Sequence, residues 1–209
     1  MKVLFITLAI VILDQASKII VKGFSLSFFD FHHKGMHHGQ KIQVIGDFFR
    51  LTFVENPGMA FGFDPGLGYK SLISIFSIIA SAALLLYIYY SRKQVLSLRI
   101  ALAFILGGAV GNLIDRIFYG VLYNYAPLFY GKVVDFLDFD FFDVTLFGRS
   151  YDRWPVFNFA DSAVTIGIII LLFFYRKGSS EEKTPAAESG SQEMLNSDEQ
   201  SSESGIKEL

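Results

Sequence analysis

Nine polar side chains stand within, or in the loops between, the long apolar segments of this 209-residue chain. They are Asp14, Lys18, Asn56, Asn112, Asp115, Arg116, Asp135, Asn158 and Asp161. Ionisable groups inside a membrane are costly and usually face a bundle interior or a water-filled cavity. Two carboxylates close together in a low-dielectric site cannot both ionise easily, so the pair titrates as a unit. The ionised member can activate a water molecule while the protonated member donates to a peptide carbonyl, which is hydrolytic chemistry.

The alternative for each carboxylate is a structural ion pair that holds two helices together. It suits Asp14 and Asp115, each of which has a basic residue within four positions. It suits Asp135 and Asp161 less well, and Asp161 has no basic residue within one helical turn. The pattern therefore leaves both interpretations open, residue by residue.

Other kinds of reactive site find little support. The chain has no cysteine, which excludes disulfides, thiolate metal sites and a cysteine nucleophile. All four histidines stand in one segment, 31–39 (FHHKGMHHG), whose spacing could hold a metal, although a solvated loop is the favoured interpretation. We predict no metal and no cofactor. The net charge of −2 gives no reason to expect a nucleic-acid partner.

Four apolar segments are long enough to position these residues in a membrane. Charged residues make up 18% of the chain, against about 25% in a typical soluble domain, and the mean hydropathy is +0.43. The predicted spans are about 3–24, 71–90, 100–118 and 154–175. A cleaved signal peptide is the alternative for the first span, but the polar residues 14–18 stand where cleavage would fall.

The predicted fold class is an all-α membrane protein with four transmembrane helices and a small extracytoplasmic β-rich loop region. The alternation in 41–53 predicts short strands, and 119–153 form a second loop. We place the membrane domain in residues 1–177 and expect the acidic tail, 178–209, to be disordered. Basic residues near the span ends predict cytoplasmic termini; they are Lys2, Arg92, Lys93, Arg99, Arg176 and Lys177.

This arrangement brings the nine polar residues to one membrane face. Consecutive spans run antiparallel, so residues late in an odd span and early in an even span share a face, here the outer one. Asp161 stands seven residues after Trp154, which predicts a depth of roughly 10 Å in the fourth helix.

Five segments resemble, in order, the motifs of the lipoprotein signal peptidase family (signal peptidase II). They are 14–18 (DQASK), 56–62 (NPGMAFG), 107–116 (GGAVGNLIDR), 133–136 (VVDF) and 157–163 (FNFADSA). Together they cover about residues 1–176. The resemblance implies an aspartic endopeptidase of the bacterial inner membrane that cuts diacylglyceryl-modified prolipoproteins before the lipidated cysteine. Its partners would be prolipoprotein substrates and membrane lipid, and we expect a monomer.

The resemblance also implies roles for the nine residues. Asp135 and Asp161 match the catalytic aspartates. The residues that would bind substrate or orient the carboxylates are Asn56, Asn112, Arg116 and Asn158, and those that would support the site are Asp14, Lys18 and Asp115. Asp115 is the rival for a catalytic role, because it also lies in a strong motif.

The chain departs from the family pattern around Asp135. Pro57 and Met59 replace the usual small residues after Asn56, and the stretches 115–135 and 135–161 are longer than usual. Two other classes of protein compete with the peptidase. A small transporter or channel subunit would spread its carboxylates through the membrane depth, and a structural subunit would give Asn158 and Asp161 no purpose.

Overall fold

Five α-helices occur among the residues that the structure describes, and they form its framework. The computed structural model describes residues 2–26, 30–58, 67–141, 144–146, 149–151 and 153–181. The helices are α1 (Leu4–Lys22), α2 (Leu67–Tyr90), α3 (Leu96–Ile114), α4 (Gly120–Leu122) and α5 (Phe159–Glu181). A π-helical turn, Asp115–Tyr119, joins α3 to α4, so one helical rod runs from residue 96 to 122.

In the described part of the chain, three helical segments are long and apolar enough, by length and composition, to cross a membrane: Leu4–Lys22, Ser71–Lys93 and Leu96–Leu122. They contain or overlap the first three predicted spans. The apolar helical stretch in α5, Phe159–Phe174, is shorter. The helix α5 continues to Glu181, into the predicted tail, and residues 182–209 lie outside the described residues.

The predicted start of the fourth span at residue 154 is wrong, because the helix begins at Phe159. The segment before it runs extended along a strand instead. The Trp154 amide donates to the Phe139 carbonyl at 3.1 Å, and Phe157 forms an antiparallel bridge with Leu137. Pro155 favours this extended backbone, since a residue before proline avoids the helical region. Asp161 therefore lies in the first turn of α5 and not 10 Å along it.

The β-rich region has seven strands within the described ranges. They are β1 (Phe24–Leu26), β2 (Phe31–His33), β3 (Lys41–Ile45), β4 (Phe49–Asn56), β5 (Val133–Phe139), β6 (Val144–Leu146) and β7 (Arg149–Tyr151). The predicted strands in 41–53 are confirmed by β3 and β4. The second loop contributes β5, which the sequence did not predict, to the same antiparallel sheet, in the order β3-β4-β5. Its register sets Val54 opposite Asp135 and Asn56 opposite Val133, so Asn56 and Asp135 share one end of the sheet.

Helix α3 is the central helix and contacts α1, α2 and α5. Two of its glycines allow this close packing beside the polar residues. A Cβ at Gly108 would lie 2.1 Å from the Ala160 carbonyl oxygen, and one at Gly111 would lie 2.6 Å from Asp14 Oδ2. Any larger residue at either position would push α3 away from the first turn of α5 or from α1.

Candidate active site

A buried lysine joins α1 to the end of α3. Lys18 Nζ lies 2.8 Å from Asp14 Oδ2 and 2.9 Å from Asp115 Oδ2, and all three side chains are fully buried. Its third contact is a hydrogen bond to Asn112 Oδ1 at 2.9 Å. An ammonium group has three N–H donors, so Lys18 is saturated. Asp14 and Asp115 thus form the ion pairs that the structural alternative describes, with Lys18 as the common partner.

Each carboxylate of this triad also accepts a backbone N–H from the residue that precedes a predicted catalytic aspartate. Asp14 Oδ1 accepts the amide N–H of Ala160, the residue before Asp161, at 3.0 Å. Asp115 Oδ2 accepts the amide N–H of Val134, the residue before Asp135, at 3.1 Å. The triad thereby ties the first turn of α5 and the strand β5 to the same lysine.

Lys18 also fixes which way the neighbouring amides face. A lysine can only donate, so the Asn112 oxygen must face it and the Asn112 nitrogen must face away. That nitrogen donates to Asp161 Oδ1 at 2.8 Å. Asn158 Nδ2 donates to the same Asn112 oxygen at 3.0 Å. Because Lys18 fixes the direction of the Asn112 amide, the group that faces the Asp161 carboxylate is an N–H donor.

Asn158 holds both predicted catalytic carboxylates. It precedes α5, and its Oδ1 accepts the Asp161 amide at 3.0 Å while Asp161 Oδ2 accepts the Asn158 amide at 3.2 Å. This reciprocal pair is a capping box, with Asp in place of the usual Glu or Gln. The fully buried Asn158 side chain also donates to Asp135 Oδ1 at 2.7 Å. One residue thus orients both carboxylates toward a common region.

Asp135 is nearly enclosed, with 3% of its surface exposed. Its second oxygen, Oδ2, accepts from Asn56 Nδ2 at 3.2 Å. Burial raises the pKa of Asp135 to about 7, and the negative charge of Asp161 adds to the shift. Eight of the nine predicted site residues, all except Arg116, are therefore joined by continuous hydrogen bonds and ion pairs.

Arg116 lies within electrostatic range of Asp115, Asp135 and Asp161. Its Nε is buried and makes no hydrogen bond within the described part of the chain. In the sequence, Arg116 is the basic residue next to Asp115 and so a possible ion-pair partner for it. In the structure, Asp115 contacts Lys18 instead.

Sequence reasoning missed Gln15 as a supporting residue, although it lies in the first motif. Gln15 Nε2 donates to Asp115 Oδ1 at 2.8 Å and to the Gly111 carbonyl at 3.0 Å. The Tyr119 hydroxyl donates to Gln15 Oε1 at 3.1 Å. An amide between two charged residues of an apolar helix was the signal that could have identified it. Among the described residues, no group of three or more His, Cys, Asp or Glu side chains is placed to hold a metal ion.

We expect Asn158→Ala to lower kcat/KM by about 10²-fold, because both carboxylates lose the group that orients them. The loss of the cap costs only about 1 kcal/mol of stability. The fall in activity should therefore exceed what partial unfolding explains. Purified enzyme assays beside thermal unfolding in detergent measure the two effects separately.

The matched control is Ser162→Ala, which removes only a hydroxyl bonded to the Asn158 carbonyl and should leave activity within about twofold, in keeping with one modest hydrogen bond. Asn158→Asp keeps an N-cap acceptor but sets a carboxylate oxygen where the donor to Asp135 was, so it should lose activity although the cap is retained. An active Asn158→Asp enzyme would show that Asn158 only caps the helix.

The fold and the site define a class of protein: a helical membrane protein with two carboxylates, the buried Asp135 and the partly buried Asp161, held by one asparagine. A family model described as signal peptidase (SPase) II matches residues 6–176. The lipoprotein signal peptidase of Pelodictyon phaeoclathratiforme is 35% identical over 168 residues, which cover 80% of this chain and 86% of that protein. That of Porphyromonas gingivalis is 34% identical over 77% of this chain and 76% of that protein.

Two solved structures share the fold. Both are bacterial membrane enzymes determined by the in meso method. One is 28% identical with a TM-score of 0.60, over 89% of this chain and 94% of that chain. The other is 30% identical with a TM-score of 0.60, over 83% and 92%. The chain belongs to the signal peptidase II family, which confirms the predicted family and the predicted peptidase activity and sets aside the transporter and the structural subunit.

Proposed function

We propose that this chain removes signal peptides from diacylglyceryl-modified prolipoproteins by aspartic chemistry at Asp135 and Asp161, cutting before the lipidated cysteine. The observation that carries the assignment is the position of Asn158, which donates its backbone N–H to one carboxylate and its side-chain amide to the other. The two carboxylates differ in surroundings, and this difference assigns their roles.

Asp161 is the ionised member of the pair in this proposal. Both of its oxygens accept N–H groups, from the Asn112 side chain and from the Asn158 backbone. It also lies in the first turn of α5, where the helix dipole favours negative charge. Asp161 would accept the proton of the attacking water.

Asp135 is the protonated member, because its burial disfavours the charged form. As water attacks the scissile carbonyl carbon, Asp135 gives its proton to the carbonyl oxygen and Asp161 takes a proton from the water. The tetrahedral intermediate then collapses, the carbon–nitrogen bond breaks, and Asp161 returns its proton to the leaving nitrogen. Asp135 recovers its proton as the carboxyl product forms, so no cofactor enters the cycle.

The pKa of Asp135 tests this assignment of roles. We expect kcat/KM to fall by about tenfold per pH unit above about pH 7, because the acid that protonates the carbonyl is then ionised. A kcat/KM profile on a lipidated peptide measures this limb. Asp138→Asn, on the same strand, should leave the limb in place. A profile that stays flat to pH 9 would contradict the role of Asp135.

The free energy of unfolding should also depend on the ionisation of Asp135. Between the ordinary pKa of 3.8 and about 7, folded Asp135 keeps a proton that the unfolded chain has released. The stabilisation is complete below pH 3.8 and is lost as the pH rises through about 7. The free energy of unfolding should fall across this window by up to about 1.4 kcal/mol per pH unit. Asp135→Asn should abolish this slope.

The membrane arrangement is part of the proposal. Four spans are supported by the three long apolar helices and by the apolar part of α5, with both termini cytoplasmic in the bacterial inner membrane and the site near the outer face. Because the chain has no cysteine, single substitutions report on orientation. Gln43→Cys should react with an impermeant maleimide outside the cell and Gln94→Cys should not; the reverse result would invert the orientation.

One copy of the chain supplies the whole proposed site. All nine residues lie between residues 14 and 161, so we propose a monomeric peptidase domain within residues 1–177 that works in contact with membrane lipid. Light scattering of the purified protein should give one chain per particle, and deletion of residues 182–209 should leave processing unchanged. An obligate dimer, or an inactive truncated protein, would contradict this part of the proposal.

A further inference from the structure

A cavity of about 1080 Å³ lies where α1 and α4 end. We call it the hairpin cavity, because one wall is the β1–β2 hairpin with Ser25, His32 and His33. The opposite wall includes Tyr119 and Tyr123. None of the nine polar residues of the candidate active site is among the described residues that line it.

The hairpin is held firmly against the end of α1. Gly23 and Gly35 have φ angles of +83° and +64°, and a Cβ at Gly35 would lie 2.3 Å from the Gly23 nitrogen. The Tyr123 hydroxyl donates to the Gly23 carbonyl at 2.9 Å. A His33 ring nitrogen donates to the Ile20 carbonyl at 2.8 Å. These bonds give the cavity its shape and satisfy a carbonyl at the negative end of the helix.

The charged side chains that line the cavity are lysines. Among the described lining residues, two are lysines (Lys22 and Lys34), two are histidines (His32 and His33), and none is an aspartate or glutamate. His32 lies 3.7 Å from Asp30, which is not a lining residue. Lys22 forms an ion pair with Glu55, which is not a lining residue. Lys34 is exposed, and no ion pair or hydrogen bond of its side chain occurs within the described part of the chain. The cavity is therefore suited to an anion.

The anion would come from a lipid, because apolar side chains line the cavity beside the lysines. Ile19, Phe24 and Leu122 line the same cavity, and Leu122 is 67% exposed. In the proposed span arrangement, on which this inference rests, these helix ends lie at the outer headgroup level, where basic and aromatic side chains meet phospholipids. We infer that the hairpin cavity binds the phosphodiester headgroup of an anionic phospholipid, with its acyl chains along the apolar wall.

Native mass spectrometry of the full chain tests the lipid preference, with phosphatidylglycerol and phosphatidylcholine of identical acyl chains as probes. We expect severalfold preferential retention of phosphatidylglycerol, and a loss of about fivefold in Lys34→Gln, the effect of about one surface cation. Lys41→Gln, an exposed lysine on β3 that does not line the cavity, is the matched control. Equal retention of both lipids, or equal effects of the two substitutions, would overturn the inference.

A single thiol tests the location. In Ser25→Cys, phosphatidylglycerol should slow maleimide labelling at least about fivefold, in line with the same electrostatic preference. It should not slow labelling in Gln43→Cys, on β3. Equal protection by glycerol phosphate, which has no acyl chains, would identify a soluble phosphate site and overturn the lipid. The same phosphatidylglycerol binding should be measured in Asp161→Asn. If that variant still binds the lipid but no longer processes substrate, lipid binding and catalysis are separate properties of the protein.

Discussion

Asp161→Asn should reduce the cleavage of a lipidated precursor by about 10³-fold, within the range that general acid–base catalysis contributes. An amide cannot take a proton from water, so the attacking nucleophile loses its base. The substitution also sets an amide against two N–H donors, those of the Asn112 side chain and the Asn158 backbone. Purified enzyme with a synthetic diacylglyceryl peptide measures the loss, and precursor accumulation in cells shows it independently.

The matched control is Asp138→Asn. Asp138 is a buried aspartate, 4% exposed, three residues after Asp135 on β5, and it pairs with Arg153 at 2.7 Å. It does not contact the proposed dyad within the described part of the chain, so its replacement should leave cleavage within a few-fold of wild type. An Asp161→Asn enzyme that keeps more than a tenth of its activity would remove Asp161 from the chemistry.

Lys18→Met should destabilise the protein by about 3–5 kcal/mol, the cost of leaving buried charges without their partner. Two carboxylates, Asp14 and Asp115, would face each other without a cation. Activity should fall as well, because Asn112 would lose the donor that fixes the direction of its amide. Thermal unfolding in detergent and the cleavage rate measure the two effects.

Two further variants separate charge from orientation. Lys41→Met, at an exposed lysine, controls for the loss of any lysine and should change the free energy of unfolding by less than about 0.5 kcal/mol. Combining Lys18→Met with Asp14→Asn and Asp115→Asn removes the unpaired charges and should recover much of the stability, but not the activity. A stable Lys18→Met protein would show that the triad is not the support described here.

The sequence was informative where one physical signal dominated. Three apolar segments became long helices because burial in lipid leaves no other way to satisfy the backbone of a single apolar segment. Alternation of antiparallel spans was enough to predict that Asp14, Asn112 and Asn158 lie at one end of the bundle. Asn158 donates to Asn112 there, and Lys18 links Asn112 to Asp14. The Lys18 pairing could be predicted from its four-residue spacing to Asp14.

The placement of Asp135 depended on distant partners. The segment 133–139 (VVDFLDF) has no clear alternation, because β5 is buried on both faces up to residue 138. It is a strand because β4 pairs with it across about 80 residues of chain. The start of α5 was misplaced for a related reason: residues 154–157 pair with β5 before the helix can begin. Neither fact is encoded within the segment concerned.

The measurement that tests the central claim most directly compares Asp135→Asn with Asp115→Asn in single-turnover cleavage of a lipidated peptide. Both aspartates are buried, but only Asp135 shares Asn158 with Asp161. We predict that Asp135→Asn is inactive while Asp115→Asn, normalised to folded protein, keeps measurable cleavage. Normal cleavage by Asp135→Asn together with a dead Asp115→Asn enzyme would contradict the proposal and make Asp115 the partner of Asp161.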